Sequence, residues 1–189
     1  MIDGNRDMQL YLGTLTRYYT SVKPLKDADE EIVAGAVSAW RHWLNKELPY
    51  ALDWDESPTA PFETANVGER DVAALHLLAA CDTSSLPKSV PDDVPELNGE
   101  HHPQVTRPRL WLPDAKDLLF HARELSEELT WVGSSDQLLR ELDALQHRWK
   151  HNLRSHTEYA ECLERVIVTL GRMARRSVRY RLPLRLFLD

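Results

Sequence analysis

The chain has 189 residues, 42% of them hydrophobic and 28% charged, with 23 Lys and Arg against 30 Asp and Glu for a net charge of −7. That is the length of one domain, residues 1–189, with enough apolar content for a packed core, which excludes wholesale disorder. The most apolar run, residues 72–81, is about half a membrane span. The first residues lack a leader pattern, and two cysteines can build neither a disulfide framework nor a four-thiolate zinc site, so a soluble cytoplasmic protein is expected.

Residues 10–20, LYLGTLTRYYT, are rich in β-branched and aromatic types and read as a strand. The first helix is expected to begin after Asp27 or Asp29 and to run to about Leu48, because Ile32, Val33, Ala36, Val37, Trp40, Trp43 and Leu44 recur every three or four residues. Pro49 stops it, and a shorter helix follows over Glu69 to Cys81. Residues 82–113 hold six of the eleven prolines and read as a long surface connector, with a short candidate strand at Leu110 to Leu112.

The second half has three runs of 4-3-4-3 spacing, each read as a helix. They are Leu118, Ala122, Leu125, Leu129 and Val132; Leu138, Leu142, Leu145 and Trp149; and Tyr159, Leu163, Val166, Leu170 and Met173. Asp114 with Asp117 marks the first start, Gly133 a left-handed cap after it, and Ser134 to Gln137 and Ser155 to Glu158 form capping boxes for the other two. The last residues alternate Tyr180, Leu182, Leu184, Leu186 and Leu188 with more polar neighbours, a strand that Pro183 would confine to a sheet edge. The expected fold is therefore mainly α, in the α+β class. It is a bundle of about four to five helices with a small sheet formed by the N- and C-terminal segments.

Charge is unevenly spread. Residues 27–100 carry 16 acidic side chains and four basic ones, whereas residues 164–189 carry seven arginines and two acids. Such asymmetry bears on partners rather than on fold. With seven glycines and none of the phosphate-cradling, zinc-protease or nucleophile-elbow motifs, no cofactor is expected and catalysis is not favoured. The first reading is a non-enzymatic binding protein, of the inhibitor or immunity type. It would present an acidic surface, Asp53, Trp54, Asp55, Glu56, Asp92 and Asp93, to a basic protein partner.

Two alternatives stand beside it. His147 and His151, four apart on a helix, could form the site of a metal-dependent enzyme with His121, Glu124, Glu128 or His156, although the order of those residues is not that of a di-iron bundle. Arg175, Arg176 and Arg179 could contact nucleic-acid phosphates, although the negative total opposes it. Burial of this arginine face against the acidic segment, within the molecule or across a homodimer, is the plainer expectation.

Overall fold

The computed structural model describes residues 8–26, 29–95, 101–114 and 116–188. They form β1 (Met8–Leu12), α1 (Leu15–Arg17), a π turn (Tyr18–Val22), α2 (Glu30–Glu47), β2 (Glu63–Val67), α3 (Glu69–Ala80), a 3₁₀ turn (Thr83–Ser85) and α4 (Pro103–Thr106). Then come β3 (Leu110–Leu112), β4 (Leu119–Arg123), β5 (Leu129–Ser134), α5 (Ser135–Trp149), α6 (Thr157–Tyr180) and β6 (Leu184–Leu188).

The strands make one six-stranded mixed sheet in the order β2-β1-β6-β3-β5-β4, antiparallel throughout except for the β3–β5 pair. Helices cover both faces. Met8, Leu10 and Leu12 of β1, with Leu184 and Leu186 of β6 and Trp111, pack against α3, α5 and α6. Tyr11, Leu110, Leu112, Ala122 and Val132 point the other way, onto Val33, Val37, Trp40 and Leu44 of α2 and onto Tyr18 and Tyr19 of the π turn. Alternate residues of one strand thus feed two cores, as expected of a sheet buried on both sides.

The fold is therefore α/β, with strands drawn from the whole chain, and not a bundle with a small terminal sheet. The chief difference lies in residues 118–134. Their 4-3-4-3 spacing belongs to a hairpin, β4 and β5, turned at residues 124–128 where Glu127 takes a positive φ of 65°. A helical seam would bury Leu129, which is 62% exposed; along β4 it is Leu118, Phe120, Ala122 and Glu124 that face inward, a period of two. Gly133 is no helix cap. It lies in β5 opposite Trp111 and Leu119, where a Cβ would run into Gln104 and come within 2.7 Å of the Pro108 ring.

β6 is not at an edge either, because Pro183 stops just short of the ladder and offers only its carbonyl, to Gly13 N–H at 3.2 Å. The first strand ends at Leu12 instead of continuing to residue 20. Thr14 caps α1 by accepting from Arg17 N–H, and the Glu56 carboxylate accepts from Leu15 and Thr16 N–H at 2.9 and 3.0 Å. In the 82–113 stretch α4 and β3 are buried elements of the core side. Gln104 donates to Leu118 C=O at 2.5 Å and accepts from Ser134 N–H at 2.9 Å, while Glu141 caps α4 through Gln104 and Val105 N–H.

Helices α2, α3, α5 and α6 lie where their periodicity places them, α2 capped by Asp29 and α5 by Ser134. The start of α6 lacks its expected box: the cap falls on His156 instead of Ser155 and makes no side-chain bond, and Glu158 pairs with Arg70 and accepts from Val90 N–H.

Candidate functional site: a cation-lined cavity at one end of the sheet

β1 starts, β3 and β5 start and β6 ends at the same end of the sheet, since Met8 pairs with Leu188 and Leu110 with Arg185 and Val132. A cavity of about 600 Å³ opens there, walled by these strand ends, the π turn and the hairpin turn. Its chemistry starts from Arg185, the one charged residue of β6, which points into the α2-side core while Leu184 and Leu186 face the other. The Arg185 and Glu124 side chains are 7% and 2% exposed.

Arg185 Nη1 donates to Glu124 Oε2 and, at 3.4 Å, to the Tyr19 hydroxyl, which itself donates to Glu124 Oε2 at 2.5 Å. The guanidinium carbon also sits 4.5 Å from the Tyr18 ring centre. Burial works against the charge of Arg185, but Tyr19 and Glu124 outweigh it and hold its pKa above the ordinary arginine value. The same burial pushes the Tyr18 and Tyr19 phenols up, so both stay protonated. Two buried atoms of this group keep no hydrogen-bond partner, Arg185 Nε and Glu124 Oε1.

Arg109, the residue before β3, also lines the cavity. Its backbone is fixed on both sides, N–H to Trp131 C=O and C=O from Leu186 N–H, and its Nη1 is buried with no partner. Burial lowers its pKa and no acid counters that. Lys23 stands exposed at the mouth, 5.5 Å from the Phe187 ring, with Glu128 exposed on the rim. Inside, Arg185 and Glu124 cancel, which leaves the charge of Arg109 unmatched. Partial burial of an unmatched cation is unfavourable, and an anionic ligand offsets that cost.

The acidic residues singled out in the sequence are divided. Asp53 is paired with Arg41 at 3.3 Å and Arg181 at 2.8 Å, Trp54 is buried, and Asp55 accepts from Ser57 N–H. Glu56 accepts from four donors, the Leu15 and Thr16 N–H, the Thr16 hydroxyl and the Trp54 indole. Asp92 and Asp93 are exposed at the far side, Asp92 beside Arg70, which also holds Glu158 at the start of α6. Arg181 follows the end of α6, so the two acidic groups are held at opposite ends of a 24-residue helix, roughly 35 Å long at 1.5 Å per residue.

The C-terminal arginines face that acidic segment within the molecule. Arg165 binds Asp71, Arg172 and Arg176 both bind Glu63, and Arg181 binds Asp53. Arg175 and Arg179 are exposed on α6 with no acidic partner among the described residues. His147 is exposed on α5, while His151 lies beyond that helix's end, and His121, Glu124 and Glu128 belong to the hairpin and its turn, with His121 stacked 4.0 Å from Trp131. Among the described residues no group of three His, Cys, Asp or Glu is placed to hold a metal ion, and no helix is long and apolar enough to cross a membrane.

Arg109, Arg185 and Tyr19 were not visible as a site in the sequence. The available signal was a single arginine among leucines, Leu184-Arg-Leu-Phe-Leu188, in a strand apolar on both faces. No protein-family model matches the sequence, and no curated protein or solved structure does either.

Proposed function

We propose that the protein binds a small organic anion, best a monocarboxylate with an apolar or aromatic body, in the cavity at the end of the sheet. The observation that carries this reading is Arg109, half-buried with its Nη1 buried and unpartnered, beside a cavity in which the Arg185 and Glu124 charges cancel. One unmatched positive charge suits one negative one, and a carboxylate brings two acceptor oxygens to a wall rich in N–H donors. Phe187, Leu186 and Leu25 provide the apolar part of the lining. The tyrosines stay protonated and Glu124 is committed to Arg185, so the lining is suited to recognition rather than to proton transfer near neutral pH.

Docking of a basic protein partner keeps the net charge of −7 as its support. With Asp53 paired at the surface by Arg41 and Arg181 and Glu56 taken up by four donors, that reading falls to Asp92 and Asp93, which have no cavity beside them of comparable chemistry.

The test is calorimetric titration of the full chain with benzoate and hexanoate, with benzamide and hexanamide as neutral counterparts, and with phenyl phosphate as a dianion. The carboxylates should bind and the amides should not, and Arg109→Gln should weaken carboxylate binding at least about tenfold, some 1.4 kcal/mol. Equal binding of benzoate and benzamide, or an unaffected Arg109→Gln protein, would sink the proposal.

A further inference from the structure

The turn between α5 and α6 carries a local excess of positive charge, at the N-terminal end of α6, where Arg70 holds Glu158 and Asp92. Residues 147–156, His-Arg-Trp-Lys-His-Asn-Leu-Arg-Ser-His, contain three cations, three histidines and no carboxylate in a chain of net charge −7. The turn is tightly built: Asn152 and Leu153 N–H both reach Trp149 C=O, and His156 N–H reaches Leu153 C=O at 2.9 Å. Beside it lies a groove of about 630 Å³ between the two helices. Leu153, Leu163 and Ile167 form its floor, and Lys150 and Arg154 stand exposed on its rim.

Arg148 is spent on Asp82 at 2.7 Å and on Cys81 C=O, but among the described residues neither Lys150 nor Arg154 has an acidic partner. A rim of unpaired cations around an apolar floor is complementary to a ligand that joins negative charge to an apolar anchor.

We infer that this groove docks an acidic segment of a partner protein, one that places an aliphatic or aromatic side chain on Leu163 and Ile167 and carboxylates against Lys150 and Arg154. A nucleic acid fits less well, because the floor is apolar and a net charge of −7 opposes a long polyanion; Glu164 on the wall confines the segment's carboxylates to the Lys150 and Arg154 side. This site is separate from the cavity at the end of the sheet and does not depend on the reading of that cavity.

The test is selection of a random twelve-residue peptide display library on the full chain, followed by fluorescence anisotropy of the enriched peptides. Enriched sequences should set Asp or Glu around one or two large apolar residues. A Lys150→Glu, Arg154→Glu double variant, altered only at exposed positions, should bind them at least tenfold more weakly, while Lys46→Glu on α2 should not. Enrichment that is not acidic, enrichment indifferent to the double variant, or tighter binding of duplex DNA or phosphatidylserine vesicles at the same residues would overturn the inference.

Discussion

Arg185 and Glu124, with Tyr19 hydrogen-bonded to them, form a charge pair with almost no access to water, and the energetics of such pairs are lopsided. Removing one partner leaves the other charged and uncompensated, which costs about 3–5 kcal/mol, whereas replacing both by apolar groups of similar volume is close to neutral. Glu124→Ala should therefore destabilise the protein by about that amount in urea unfolding, and Arg185→Met with Glu124→Leu should cost much less than the two single changes together. Additive losses would mean that the pair is not coupled as its hydrogen bonds indicate. Arg109 differs in having no acid to lose, so its replacement by glutamine should leave stability unchanged or raised while weakening carboxylate binding.

At the level of elements, what could be read from the sequence follows periodicity and caps. α2 with Asp29, α5 with Ser134, and α3 and α6 were legible because their apolar residues recur at helical spacing over twelve residues or more. The hairpin of β4 and β5 was hidden for a physical reason. Its inward row contains Glu124, whose carboxylate is buried only because Arg185, 61 residues away, meets it there. Scored as polar, Glu124 breaks the alternation and leaves the accidental helical pattern as the stronger one. The cavity was hidden likewise, since four distant segments meet there and none carries a local motif.

Gly133 tests the hairpin directly. Gly133→Ala should cost about 1–3 kcal/mol of overpacking against Pro108 and the buried Gln104 side chain, read from the urea midpoint. In a helix cap or an open strand the same change would be cheap, and an unchanged midpoint would contradict the packing described for β5.

For the molecule as a whole, pH acts through two groups of opposite sign, the half-buried Glu141 and the buried His76. Burial pushes Glu141 up to about 7, with Asp117 adding to it, against the lowering by Gln104 and Val105 N–H. The native state then holds a proton that the unfolded chain, with a glutamate near 4.3, releases, so this contribution to stability falls as pH rises from the unfolded value through about 7. Burial, together with Arg109, lowers His76 to about 4. The unfolded chain takes up that proton near 6.5 and the native state does not, so this contribution falls as pH drops from 6.5 towards 4. Between roughly pH 4.5 and 6.5 the two slopes oppose each other. Unfolding free energies measured across that window should rise with pH in Glu141→Gln and fall with pH in His76→Gln; parallel slopes in the two variants would refute the assignment.

β6 is the last strand in the chain, yet it lies between β1 and β3 and is the sole link between the β2–β1 pair and the β3–β5–β4 trio. Translation runs from the N- to the C-terminus, so both parts of the sheet are synthesised before the strand that unites them. Each waits with an unpaired inner edge, Tyr11 and Leu12 on one side and Leu110 and Trp111 on the other. Glu124 waits with them, without its arginine. A chain truncated after Pro183 should therefore bind holdase chaperones and resist folding, whereas one that retains β6, Leu184–Leu188, should fold.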